Sequence, residues 1–280
     1  MEVLNTILNI DPNYIIIGLL AFFFTLEQVA GNPFSFKQRG KHMLQNLLFQ
    51  IVIFAINIFF LSILIYSIEW LNSKEIGLLY LIELPFWPKL FLSVVLYDFA
   101  TYWLHRASHK VPLLWRLHRV HHSDTTMDSS TTFRFHPIEP VIVYQGGNLI
   151  AAGLFGLDVT SLALYYFIVY IFFFLEHSNL NYPNWLNNTF GLVFVMPDHH
   201  RVHHHQEQFY TDSNFADIFI IWDRIFGTFK LIPVKQMKYG LIEFEGEKKQ
   251  SFLYLMKSPF IDIKRIETEK SKTEINKTST

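Results

Sequence analysis

Apolar stretches recur along the chain at Asn13–Val29, Leu44–Ile68, Pro85–Leu104, Ile138–Phe155 and Val159–Leu175. Most are near the ~20 residues that cross a bilayer as a helix. Leu44–Ile68 is the clearest, because it contains no charged residue. The last two are short and joined only by Gly156-Leu157-Asp158, which suits a tilted hairpin or a partly re-entrant pair. The pattern predicts an all-α, polytopic membrane helical bundle of about four or five transmembrane helices.

Polar segments between these stretches set an orientation. Lys37, Arg39 and Lys41 stand without an acid before the second stretch, whereas Glu69, Lys74, Glu75 and Glu83 follow it. The positive-inside rule makes the first of these loops cytoplasmic. Threading five spans from there puts Leu104–Pro137 and everything from Glu176 on the same cytoplasmic side, where the resemblance described below implies a helical cap. Met1–Pro12 carries only Glu2 and Asp11 as charges, so it reads as retained and not as a cleaved leader. Beyond Lys230 the chain turns polar, and Ile263–Thr280 has the composition of a flexible tail. The resulting division is 1–90 for N-terminal transmembrane helices, 91–230 for a catalytic region and 231–280 for a polar, largely flexible C-terminal segment.

Composition sharpens the picture. Of 280 residues, 51% are hydrophobic and only 17% charged, against about 25% charged in soluble domains. A net charge of −1 offers no field to attract nucleic acid. With no cysteine, the chain can build no disulfide, iron–sulfur cluster or thiolate-ligated haem. Any metal must sit on nitrogen and oxygen.

The histidines supply those donors. His105 and His109 are an i, i+4 pair; His118, His121 and His122 form an i, i+3, i+4 triple; His200, His203 and His204 repeat that triple. On a helix such offsets share a face, where imidazoles can close on one ion. Eight clustered imidazoles have little packing value and repel one another when protonated, a problem that a metal removes. His177 re-enters the same side as a ninth candidate, while His136, His199 and His205 read as flanking residues and His42 as an ordinary lone histidine. The number of donors argues for two ions, since a catalytic zinc takes about three ligands plus water. Imidazole suits zinc, copper, iron or nickel alike. Asp98, two helical turns before His105, shares its face and is the expected catalytic-site carboxylate orienting that imidazole, with Glu139, Glu176 and Asp198 as weaker candidates for the role.

These residues also carry a resemblance. Tyr97-Asp98, Trp103-Leu-His105-Arg-Ala-Ser-His109, Leu117-His118-Arg-Val-His121-His122-Ser123, Arg134-Phe-His136-Pro137, His177-Ser-Asn179, His199-His200-Arg-Val-His203-His204, Asn214-Phe215 and Trp222-Asp-Arg-Ile-Phe-Gly-Thr228 follow in the order of the fatty acid hydroxylase and sterol desaturase superfamily. The chain resembles that superfamily over about half its length. The resemblance implies a non-haem di-iron centre that uses O2 to hydroxylate or desaturate a lipid such as a sterol, fatty acyl chain, sphingoid base or alkylglycerol. It implies His105, His109, His118, His121, His122, His177, His200, His203 and His204 as metal ligands. Several relatives carry a further histidine near His177, where this chain has Glu176 and Asn179. No fused cytochrome domain is evident, so electrons are expected from a separate cytochrome b5-like or ferredoxin-like protein.

Two other classes share some of these features. A metal transporter also combines spans with histidines, but its sites lie near the bilayer midplane, whereas these histidines lie outside the apolar stretches. A zinc-dependent membrane hydrolase is allowed by the ligands and disfavoured by the motifs. The expected location is a multi-pass position in a bacterial inner membrane, with the endoplasmic reticulum as the alternative.

Overall fold

A long apolar run in lipid folds as a helix because only a helix satisfies every backbone N–H and C=O within one segment. In the computed structural model, which describes residues 12–31, 36–233 and 237–266, the first two runs become α1 (Pro12–Ala30) and α2 (Phe36–Ser73). The third becomes α3 (Phe86–Lys110), which turns directly into α4 (Pro112–His122). A π-helical turn at Pro140–Gln145 leads into α5 (Gly146–Phe155), and α6 runs from Val159 to His177. Short helices follow: α7 (Trp185–Asn188), α8 (Pro197–His203), α9 (Gln208–Thr211), α10 (Ile221–Ile225) and α11 (Phe252–Lys257). Among the described residues there is no β-strand, only isolated bridges such as Phe194 with Phe219.

Among the described residues three helices, Pro12–Ala30, Gln38–Tyr80 and Val159–His177, are long and apolar enough to cross a membrane. The other two expected spans are helical but different in kind. α3 buries a polar face that includes Asp98, Thr101, His105 and His109, and Pro140–Phe155 is a shorter apolar helix. At about 1.5 Å per residue, α2 reaches far beyond the ~30 Å hydrocarbon core. Its first turns instead bind loops: His42 sits between Asp124 (2.9 Å) and Asp128 (2.9 Å), and Asn46 donates to Ser130 Oγ (2.9 Å). Glu27 on α1 similarly accepts from the Ser129 and Asn179 backbone N–H groups, at 2.8 and 2.7 Å.

At the opposite end, α5 stops at Gly156, whose φ of 75° is the left-handed conformation that favours glycine. Gly77 abuts this turn so closely that a Cβ there would lie 2.0 Å from the Gly156 nitrogen. Asp158 then caps α6 by accepting from the Ser161 N–H at 2.7 Å. The main core, with Ile68, Tyr97, Ala152, Tyr165, Val169 and Ile218, joins α2, α3, α5, α6 and the segment before α10. A second cluster packs Leu241, Phe244 and Leu255 against Phe49 and Val120. The segment after Lys230, expected to be largely flexible, therefore has a packed portion: its few apolar residues close over α2 and α4. Residues 267–280, most of the expected tail, lie outside the described residues, as do residues 1–11.

Candidate metal centre

All nine predicted histidines come together in the interior, in two groups. His105, His109, His118, His122 and His203 form one, and His121, His177, His200 and His204 the other. Within each group, one ring nitrogen from every residue lies within 4.8 Å of the others, and all nine residues are buried. α3 contributes the i, i+4 pair, α4 and α8 with the residue after it contribute the triples, and the last residue of α6 contributes His177. The groups adjoin, with the His122 and His204 rings stacked at 4.6 Å.

The outer nitrogens reveal the protonation of the rings. A carbonyl oxygen can only accept, so a ring nitrogen against one must carry the hydrogen. His105 Nδ1 donates to the Phe215 carbonyl (2.8 Å), His203 Nδ1 to the Ser213 carbonyl (2.7 Å) and His177 Nδ1 to the Phe173 carbonyl (2.7 Å). Carboxylates do the same elsewhere: His118 Nδ1 lies 2.5 Å from Glu139 and His109 Nδ1 3.3 Å from Asp212, while Glu176 lies 3.4 Å from His200 Nδ1 without a hydrogen bond to it. Each of the hydrogen-bonded rings, those of His105, His109, His118, His177 and His203, therefore presents a bare Nε2 lone pair to the interior.

Those lone pairs face one another. His105 Nε2 is 3.1 Å from His118 Nε2, and His177 Nε2 is 3.0 Å from His200 Nε2. No hydrogen is left to sit between His105 and His118, and His109 Nε2 and His203 Nε2 have no hydrogen-bond partner. Such an arrangement is repulsive unless a cation occupies the centre. Two nitrogens held about 2.0–2.1 Å from one ion stand about 2.9 Å apart at a right angle and about 3.4 Å apart at a tetrahedral angle. The observed separations fall in that interval, so the residues fit two metal ions.

Electrostatics agree. Burial pushes the His118 imidazole down to about 3. Burial, and then the neighbouring imidazoles, hold His121, His122, His200, His203 and His204 well below their ordinary value. Neutral imidazole is the form that binds metal.

Asp98 takes a different place from the one expected. Its oxygens accept from the Ile218 N–H (3.0 Å), the Phe219 N–H (3.0 Å) and the Trp222 indole (2.8 Å), not from His105. Two turns of α3 do put both residues on one side, but unsatisfied backbone donors in the facing loop capture the carboxylate first. The carboxylate beside His105 Nδ1 is Asp217, at 3.8 Å. Asp223 accepts from the Phe215 and Ala216 N–H groups, at 2.8 and 2.9 Å. Asp98 and Asp223 thus fix the loop whose Phe215 carbonyl orients His105. Glu139 and Glu176 do adjoin ligands, whereas Asp198 binds Arg201 (3.2 Å) and Asn187 (2.6 Å). His136 is held by the Met256 carbonyl (3.2 Å), and His199 Nδ1 accepts from the Met196 N–H (3.2 Å), both outside the two groups. Asp212, Ser213, Phe215 and Asp217 have no histidine-like spacing to mark them; only their place in the Asn214-Phe215 motif pointed that way.

The fatty acid hydroxylase family model matches residues 90–228, the stretch containing every one of these ligands. Through it, the chain belongs to the fatty acid hydroxylase family. Within that family it is similar to an alkylglycerol monooxygenase of Xenopus tropicalis, at 35% identity over 58% of this chain and 35% of the relative. An ornithine lipid hydroxylase of Rhizobium tropici is 28% identical over 62% of the chain and 52% of its own length. A very-long-chain aldehyde decarbonylase of Oryza sativa subsp. indica is 32% identical over 56% and 59%. The chain spans about a third of the length of the alkylglycerol monooxygenases it matches. No solved structure matches it significantly.

Proposed function

We infer that this family member is a membrane-bound, O2-dependent di-iron oxygenase of lipids, with an alkylglycerol-type ether as its substrate. The observation that supports it best is the set of imidazole Nε2 atoms meeting about 3 Å apart in two buried groups. Two bound irons would supply reductive activation of dioxygen and removal of hydrogen from an unactivated C–H bond. The five imidazoles of one group and the four of the other would hold the two ions. For hydroxylation the balance is RH + O2 + 2e⁻ + 2H⁺ → ROH + H2O, with electrons from a separate carrier protein. Desaturation differs in losing a second hydrogen from the substrate.

The chain's own residues hold the site dry and rigid. Buried carbonyls and carboxylates fix ring tautomers, Asp98 and Asp223 hold the 215–219 loop, and Phe135 stacks on His121 at 4.2 Å between centroids. The expected ligands are the nine histidines, within a catalytic region at 91–230 facing the cytoplasm, in a bacterial inner membrane in preference to the endoplasmic reticulum. Purified protein grown on iron-57 is expected to hold about two irons per chain with a coupled di-ferric Mössbauer signal. Given 1-O-hexadecylglycerol, O2 and a reductant, it is expected to consume all three and release an aldehyde from the oxidised ether carbon. Stoichiometric zinc under iron-replete expression would replace this reading with the hydrolase.

A further inference from the structure

From Ser178 to Pro197 the chain has no Asp, Glu, Lys or Arg. A connection leaving a membrane helix for water normally carries charge, and this one instead exposes apolar side chains: Trp185, Phe190, Val193 and, at 58%, Leu192. A second segment does the same, with Ile221 exposed and Ile225 at 60%. Surface of this kind, contiguous and unpaired, marks an interaction site.

The first segment folds back along the membrane-spanning helix α6, and the second along α3. The Phe194 ring meets Phe172 of α6 at 5.9 Å. Phe172 lies five positions before the end of α6, about 7.5 Å along the axis. Its neighbour Ile171 is itself exposed on that helix. The two segments are tied together: Val195 N–H donates to the Ile218 carbonyl (2.8 Å), and Arg224 donates to the Gly191 carbonyl (3.1 Å). On the other flank Trp222 and Phe226 pack on Phe99 and Trp103 of α3, at 5.1 and 4.9 Å. Trp103 is also exposed, two residues from His105.

The structure assigns Trp185–Phe194 and Ile221–Phe226 to the bilayer: they form an embedded shelf, continuous with the exposed side of α6, in the leaflet beside the histidines. The occupant is lipid because the surface lies at the depth of a spanning helix, carries no carboxylate and extends that helix's own exposed face. Trp185 is the residue type that settles at the headgroup level. Arg224, whose guanidinium lies 4.1 Å from the Phe229 ring, can extend its charge to the interface along an apolar stem. Asp223, the one acid of these segments, is buried and turned inward to the Phe215 N–H. This assignment stands whether or not iron is the bound metal.

The absence of native cysteine makes the test direct. Single cysteines replace Leu192, Ile225, Ile171 as the lipid reference, and Glu247, whose side chain is 82% exposed, as the aqueous reference. Each carries a nitroxide in phosphatidylcholine–phosphatidylglycerol nanodiscs, and collisions with O2 and with a water-soluble nickel chelate are compared. Val193→Cys serves if Leu192→Cys does not yield folded protein. The O2-to-nickel ratio at Leu192 and Ile225 is expected to shift to that at Ile171. A ratio matching Glu247 would overturn the assignment by placing the shelf in water. Inaccessibility to both reagents would also overturn it, by showing a protein partner or a second copy over the face.

Discussion

Glu139 offers the sharpest test of the metal centre. Its Oε1 lies 2.5 Å from His118 Nδ1, with both side chains fully enclosed. Glu139→Ala removes the acceptor that keeps the His118 hydrogen on Nδ1 and its Nε2 bare. Loss of such an outer partner typically costs 10–100-fold in metal affinity, about 1.4–2.7 kcal/mol. Glu139→Gln keeps an acceptor but loses the charge, so its loss should lie near the lower end. His118 belongs only to the five-histidine group, and the four-histidine group has its own carboxylate in Glu176 beside His200. The effect should therefore fall on one ion of the two. Titrating cobalt-loaded protein in nanodiscs with a chelator would resolve this, since wild type should release two ions late and Glu139→Ala one ion early and one late. Two ions released at the wild-type midpoint would refute the tautomer argument. Equal weakening of both ions would refute its locality.

Other expectations follow from the same geometry. His203→Ala and His121→Ala, which remove one donor from the five- and four-histidine groups respectively, should each lower bound metal from about two to about one per chain by mass spectrometry; full content in both variants would remove the ligand assignment. Asp98→Ala strands three donors and should lower stability by ~3 kcal/mol or more in thermal unfolding, with Asp98→Asn milder; an unchanged Tm would contradict the loop-holding role. For pH, the buried histidines are neutral when folded and sit below their ordinary 6.5. Below that value the unfolded chain takes up more protons, so metal-free protein should lose stability as pH falls through about 6.5 toward the depressed folded values. A Tm of metal-free protein that stays flat across that window would argue against neutral burial. Gly77→Ala should destabilise strongly, because its Cβ would enter the Gly156 backbone, and a circular-dichroism melt like that of wild type would show the turn to be more yielding than described.

Much of this molecule could be read in its residues, and the limits of that reading have physical causes. Leu44–Ile68 and Val159–Leu175 announce helices because long, uncharged and predominantly apolar runs have no other stable choice in lipid. The histidine triples were equally plain, since i, i+3, i+4 spacing is itself helix geometry. Asp98 was misplaced because helical spacing says which residues share a face and nothing about which distant loop meets it. The donors it satisfies belong to Ile218, Phe219 and Trp222, more than a hundred residues away. The packed part of the C-terminal segment escaped notice because Leu241, Phe244 and Leu255 are too few to form a pattern, though each is almost fully enclosed.

Three of the ring orientations rest on main-chain oxygens, those of Phe173, Ser213 and Phe215. A peptide carbonyl is present whatever side chain accompanies it, so no single codon change at these positions deletes the acceptor. Alanine scanning would score Ser213 by its hydroxyl and Phe173 by its ring, and would miss what each peptide unit does for the histidine opposite. Part of the site's chemistry is in this sense written in the polymer and not in its alphabet, and it is vulnerable mainly to changes that shift the loop's path, such as a proline or a deletion between Asp212 and Ala216. Damage of that kind would leave all nine imidazoles in the sequence and still disarm them.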